Sequence, residues 1–341
     1  MEEKNKIQKK EIFFLFVLAV FLLFISFDFF SFQLNGIEKK IFQIAKDINN
    51  GKIPYKDIND NTPPLNYYIY LTAQKLFNLY PEDGNLRIFV LIYIIFFLLL
   101  LYIISRLMTG ATVAMMSSFF YVIFTYKSIY SGIYALPGLF SQFPLFLSLM
   151  FLIFIEKGYE KVDYFLSGFF LCVSSYIVFP LKLAVFIPVI YIYMRWKKQE
   201  LKLKYIMWFF LGFFLMEAVS FLWVIKNSVL KEFINFYFIY NSMSFFNEAN
   251  IIKDIKEVIP YKYYLIIIFI FLYYVFKFVL NKKYDFNWLL LVVPVFICVV
   301  AFFQKKMDIG FFYILAPFFS IMVSVFIKDL MMLILRKYKK Y

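Results

Sequence analysis

The chain has 341 residues, 63% of them hydrophobic and 24% aromatic, with a mean hydropathy of +0.76. A soluble domain is nearer half apolar, so the composition excludes an ordinary globular protein and points to lipid as the solvent. The formal charge of +14 is scattered among short connections, which excludes a nucleic-acid-binding patch, and the lack of histidine excludes imidazole catalysis and His metal sites.

In chain order the apolar runs predict about ten membrane spans, hence an all-α polytopic protein in a single transmembrane domain over 1–341. They fall near Ile12–Phe30, Ile88–Ser105, Ala111–Thr125, Leu139–Ile155, Tyr164–Phe179, Leu181–Met194, Tyr205–Val224, Tyr263–Phe276, Trp288–Phe303 and Phe311–Ile327. The first run is too long for a cleavable signal peptide and has no small-residue cleavage site, so it reads as a span. Tyr164 to Met194 is too long for one ordinary helix, and Pro180 with Lys182 predicts a break there. Cys172 and Cys298 each fall inside a span without CxxC spacing, so no redox or zinc chemistry is implied. No P-loop, no dinucleotide-binding glycine pattern and no internal repeat is present, which leaves ATP-driven and inverted-repeat transport unsupported.

With the amino terminus placed in the cytoplasm, 20 of the 36 Lys and Arg residues fall on inner segments. Of the other 16, 12 lie in two long outer loops, 31–87 and 225–262, where charge weighs little in setting orientation. The reading is a multi-pass cell-membrane protein with both termini cytoplasmic and the lipid bilayer as its first partner.

The first outer loop holds the richest polar chemistry. Ile37, Ile41, Ile44 and Ile48 recur at helical spacing, which predicts an amphipathic surface helix ended by Gly51. A turn-rich segment with Asp57 and Asp60 follows, stiffened by Pro63 and Pro64. A second amphipathic stretch runs from Leu65 to Tyr80, with Leu65, Tyr68, Thr72, Leu76 and Leu79 on one side, and Arg87 opens the second span. Two uses fit this loop: a site for a substrate with a lipid tail and polar head, or a plain interfacial collar.

The order of apolar span, surface helix, G-x-x-P-Y-x-D, P-P-L-x-Y, surface helix and Arg resembles glycosyltransferases of the GT-C fold. The nearest are family 39, the protein O-mannosyltransferase and lipid A aminoarabinose transferase group. The matching positions are Gly51, Pro54, Tyr55, Asp57, Pro63, Pro64, Leu65, Tyr67 and Arg87. Lys182 in the break and Phe312 to Pro317 near the end are weaker matches. The resemblance implies transfer of a sugar from a polyprenyl-phosphate donor to a lipid, glycan or protein acceptor at the outer face. Such transfer needs a carboxylate base for the acceptor hydroxyl and cations for the leaving phosphate.

On that resemblance the candidate catalytic carboxylates are Glu38, Asp57 and Asp60, with Glu38 first as the base. The candidate phosphate partners are Arg87, Lys182, Lys305 and Lys306, and the substrate cavity would be lined by Tyr55, Pro63, Pro64, Tyr67 and Tyr313. The chain departs from the family pattern at Ile37, at Asn61 and Thr62, and at Ser141 and Gln142. Lys305 and Lys306 are equally explained by snorkelling. Asp57 and Asp60 could hold substrate or a divalent metal, or merely bond their own turn; no other cofactor is implied. Glu217, inside the span Tyr205–Val224, reads either as a functional carboxylate or as one bonded to a neighbouring helix. A non-catalytic carrier or assembly partner of the same fold is the rival reading.

Overall fold

A computed structural model describes residues 8–25, 34–77, 82–127, 135–156, 161–197, 204–239, 272–274, 289, 292–298 and 309–338. Its helices are α1 (Lys9–Ile25), α2 (Gly36–Asn49), α3 (Pro64–Leu76), α4 (Glu82–Thr109), α5 (Ala111–Lys127), α6 (Pro137–Glu156), α7 (Lys161–Ser175), α8 (Phe186–Lys197), α9 (Tyr205–Lys226), α10 (Leu230–Phe233) and α11 (Ile309–Tyr338). A 3₁₀ segment, Phe179–Val185, joins α7 to α8. The expected break at Pro180 and Lys182 is therefore real. A π-helical turn, Ile234–Ile239, extends α10.

Five helical stretches among the described residues are long and apolar enough to cross a membrane: Leu86–Thr109, Pro137–Phe154, Phe179–Lys197, Tyr205–Lys226 and Tyr313–Leu335. The fold is that of an all-α multi-pass membrane protein. The expected count of about ten is met only in part. Ala111–Thr125 is apolar but shorter, and α1 and α7 have 17 and 15 residues. The expected spans at 263–276 and 288–303 lie largely outside the described residues, as does most of the loop 225–262.

Packing follows from small residues and aromatic wedges. Helix α7 lies against α6 and α9, α11 against α5 and α6, and α4 against α5. Helices α7 and α9 meet backbone to backbone at Gly168 and Gly212. A Cβ on Gly168 would collide with the Phe209 carbonyl, and one on Gly212 with the Phe165 carbonyl. Lipid gives helices no hydrophobic drive to associate, so such close approach supplies the attraction through dispersion. Gly110 alone makes the α4–α5 turn, at a φ of +97° that favours glycine.

Pro144 and Pro317 interrupt helices inside the bundle, and side chains repair both breaks. Pro144 in α6 has no N–H for the Phe140 carbonyl. The Tyr93 hydroxyl donates to that oxygen at 2.6 Å and accepts from the Phe143 N–H at 3.1 Å. Pro317 in α11 orphans the Tyr313 carbonyl in the same way, and Gln142 Nε2 donates to it. Gln142 Oε1 in turn accepts from the Tyr121 hydroxyl at 2.6 Å. Backbone groups left open in hydrocarbon cost several kcal/mol, roughly, so these side chains are part of the fold.

Helix α4 carries an ion pair near each end. Arg87 bonds Glu38 of α2, and Arg106 bonds Glu11 of α1 at 2.9 Å. Nineteen helical positions separate the two arginines, about 28 Å at the α-helical rise, close to a hydrocarbon core of about 30 Å. Lys328 of α11 donates to the Thr109 carbonyl at 3.0 Å. The start of α1, the end of α4 and the later part of α11 therefore share one end of the bundle. The loop 34–77 sits at the other.

Candidate functional site

The loop begins with a capping box. Asn35 Oδ1 accepts from the Glu38 N–H, and Glu38 Oε2 accepts from the Asn35 N–H, both at 2.8 Å. This N-x-x-E pattern satisfies two orphan donors at the start of α2. Helix α2 then buries Ile41, Phe42, Ile44 and Ala45, packing on α3, while Ile37 stays exposed. The isoleucine stripe thus serves mainly the protein interior, where a helix lying on the membrane surface was expected. In α3 the buried face is Pro64, Asn66, Tyr67, Tyr70 and Ala73; of the expected stripe, Thr72 and Leu76 point outward, Leu65 and Tyr68 are half-buried, and Leu79 lies outside the described residues.

Glu38 is fully buried and fully engaged. Arg87 grips it bidentately at 2.7 and 3.0 Å, and the Ala135 N–H donates to Oε1 at 2.6 Å. With the Asn35 N–H, each carboxylate oxygen accepts two bonds, which fills its ordinary capacity. The Tyr70 hydroxyl donates to the Ala135 carbonyl. Both backbone groups of Ala135, just ahead of α6, are thereby tied to the loop. In this conformation Glu38 and Arg87 act as a clamp between α2, α4 and the start of α6.

Between α2 and α3 the chain makes a tight corner. Gly51 has a φ of +91° and Tyr55 a φ of +69°. The Tyr55 backbone costs about 1 kcal/mol or more and is held by its surroundings. Its N–H donates to the Ile58 carbonyl at 3.1 Å, its hydroxyl donates to the Thr62 carbonyl at 2.9 Å, and its ring is buried. Asp57 is exposed, and its Oδ2 accepts from the Ile53 N–H at 2.7 Å. That is turn bonding. Pro64 sits at the first position of α3, where its missing N–H is harmless, and Pro63 precedes it as the cap residue.

Asp60 differs from both other carboxylates. Its side chain is 1% exposed, and Oδ1 accepts from the Thr62 N–H and hydroxyl, each at 2.9 Å. Oδ2 is reached by Lys40 Nζ at 2.9 Å, a side chain itself 58% exposed. The phenols of Tyr55 and Tyr67 stand close by. Burial raises the pKa of both; nearby Tyr67 and then Asp60 add to the shift of Tyr55, and Asp60 to that of Tyr67. Both phenols stay neutral at any physiological pH.

An aromatic wall runs from this corner to the break after α7. Tyr67 lies tilted against Tyr55, with 6.5 Å between centroids, and Tyr55 meets Phe233 edge to face at 5.5 Å. Phe233 stacks on Tyr237 and Tyr237 on Tyr176. Lys182 Nζ sits 4.5 Å from the centre of the Tyr176 ring and 5.1 Å from that of Tyr237, within cation–π range. Lys182 also bonds Glu217 Oε1 at 2.7 Å, and the Tyr176 hydroxyl donates to Oε2 at 2.6 Å. Asn66 Nδ2 donates to the Ile177 carbonyl at 2.7 Å, fastening α3 to the same break.

The candidate residues therefore fall into three groups. Glu38 and Arg87 form the clamp. Tyr55, Asp60, Pro63, Pro64 and Tyr67 form the corner, with Asp57 on its exposed side. Lys182 and Glu217 form a pair joined to the corner by the aromatic wall. Tyr313 belongs elsewhere, to the Gln142 cluster in the bundle. Lys305 and Lys306 lie outside the described residues. Among the described residues no group of three or more Asp, Glu or Cys has the arrangement of a metal site. Sequence reading missed Lys40, Asn66, Tyr176 and Tyr237, which carry no local pattern. The Asn35-x-x-Glu38 box was visible, and would have marked Glu38 as a capping residue.

Comparison with protein-family models, with curated proteins and with solved structures finds no match to this chain. The class defined by the fold is a multi-pass, all-α membrane protein.

Proposed function

We propose that this chain is a membrane glycosyltransferase of GT-C type, moving a sugar from a polyprenyl-phosphate donor to a hydroxyl acceptor at the outer face, with both termini cytoplasmic. The observation that carries the reading is Asp60. It is a buried carboxylate in the Pro-rich corner, with one oxygen held by Thr62 and the other met only by a flexible, exposed lysine. A base must keep an oxygen open for the acceptor proton. Glu38 has no such oxygen in this conformation, so the role passes to Asp60, and Glu38 with Arg87 positions the loop.

Lys182 is the phosphate partner in this scheme. It lies at the far end of the aromatic wall from Asp60, and its bond to Glu217 would exchange for the leaving phosphate as charge develops there. A second reading, a non-catalytic carrier of lipid-linked glycans, draws on Glu217, a carboxylate in the middle of α9. The test is transfer of labelled sugar from a panel of polyprenyl-phosphate donors by purified protein in lipid. Product from the wild type and none from Asp60→Asn supports the enzyme. Donor binding without product favours the carrier, and neither binding nor product overturns both readings.

A further inference from the structure

Helices α7 and α9 run parallel. Tyr164 stacks on Tyr205 with 4.9 Å between centroids, and further along both helices Gly168 meets the Phe209 backbone. Asn66 fastens the far end of α7 to the loop, so Lys161 and Tyr205 open their helices at the opposite end of the bundle. The side chains gathered there are mostly donors. Lys161 Nζ sits 5.8 Å from the Trp208 ring centre, and Lys204 Nζ 5.7 Å from that of Tyr205. Both lysines are exposed, and neither has an ion pair among the described residues. Arg195, near the end of α8, lies over the Tyr191 ring, donates to its hydroxyl at 3.0 Å and is within electrostatic reach of the Tyr164 phenol. Asp163 is the carboxylate beside them, one charge against three. The Tyr164 hydroxyl is buried and has no hydrogen-bond partner among the described residues.

Three cations and an unmet phenol call for acceptor oxygens. A buried hydroxyl left without a partner destabilises the fold, and a phosphodiester brings both the acceptor it lacks and a charge for the cations. We infer that Lys161, Arg195 and Lys204, with Tyr164, form a binding site for the headgroup phosphate of an anionic phospholipid. The lipid source follows from what flanks the site. Val162, Met207 and Leu211 are exposed apolar side chains next to it, a surface for acyl chains, and Tyr205 and Trp208 are the aromatic residues that favour headgroup depth. A phosphate in solution would use the cations and leave that flank idle. Lysines already held on ring faces give up less freedom on meeting an anion. The site shares no residue with the sugar-transfer scheme and stands whether or not transfer occurs.

Native mass spectrometry of the full chain tests it, with dioleoyl phosphatidylglycerol, dioleoyl phosphatidylcholine or inorganic phosphate titrated into the detergent. The wild type should hold phosphatidylglycerol about tenfold more tightly than phosphatidylcholine. Lys161→Gln combined with Lys204→Gln, at two exposed positions, should remove that preference while the melting temperature in phosphatidylcholine stays near the wild-type value. Tyr164→Phe should keep or raise the melting temperature and weaken phosphatidylglycerol about fivefold. Lys9→Gln combined with Lys10→Gln removes the same charge from the start of α1, at the same end of the bundle, and should leave the preference intact. Equal retention of the two lipids by the wild type overturns the site. An equal loss in the Lys9 and Lys10 variant also overturns it, by reducing the effect to diffuse surface charge. Displacement of phosphatidylglycerol by inorganic phosphate at matching concentration overturns the lipid as occupant.

Discussion

Glu38 with Arg87 and Lys182 with Glu217 are both carboxylate–cation pairs inside a membrane bundle, but one is sealed and the other open. The first pair is at most 1% exposed, bidentate, and completed by two backbone N–H groups. The second is 14% and 24% exposed; Lys182 meets one oxygen of Glu217 at 2.7 Å, the Tyr176 hydroxyl donates to the other, and the ring faces of Tyr176 and Tyr237 flank the ammonium. A sealed pair whose lone pairs are filled holds elements in place. An open pair can trade partners. On the proposed reading the first pair is architecture and the second the place where a ligand phosphate would exchange, although both were marked by the same kind of residue in the sequence.

The largest expected effect is on the sealed pair. Arg87→Ala leaves Glu38 charged, buried and short of two donors, and should cost about 3–5 kcal/mol, read as a large fall in thermal midpoint in lipid. Similar loss on Lys182→Ala would erase the contrast. The expectation there is smaller, about 1–3 kcal/mol, because Tyr176 still bonds Glu217 and the carboxyl is only partly buried. Gly212→Val should also cost about 1–3 kcal/mol or more by pushing α9 off the Phe165 carbonyl.

Gln142→Leu sharpens the same comparison from outside the loop. It strips the cap from the Tyr313 carbonyl and the acceptor from Tyr121, with an expected loss of about 1–3 kcal/mol and little change in donor binding. The smallest effect belongs to Asp57→Asn. The amide oxygen still accepts from the Ile53 N–H at an exposed corner, so stability should stay within about 0.5 kcal/mol and turnover should persist. Turnover lost with Asp57→Asn alone would move the base away from Asp60.

The helices and the break were readable because each has a local cause. Pro180 and Lys182 mark a break in an apolar run too long for one helix, and the spacing of Ile41 and Ile44 marks one face of α2. What α2 packs on was not readable. An amphipathic helix next to a membrane looks the same whether its stripe meets lipid or α3. The site was legible in part for a related reason. Tyr55, Asp60, Tyr67 and Arg87 stood out as polar residues in a greasy chain, but their partners come from other elements: Lys40 of α2 for Asp60, Phe233 of α10 for Tyr55 and Glu38 of α2 for Arg87. Gln142 looked like a departure from a catalytic pattern. It is a cap for Pro317, a role set by a helix more than 170 residues away.

The most direct test measures sugar transfer and thermal midpoint side by side for Asp60→Asn and Glu38→Gln in lipid. The account predicts that Asp60→Asn abolishes transfer at a near-native midpoint. It predicts that Glu38→Gln lowers the midpoint sharply while the folded fraction keeps its turnover. Glu38→Gln that folds normally and is dead, beside an active Asp60→Asn, would contradict it.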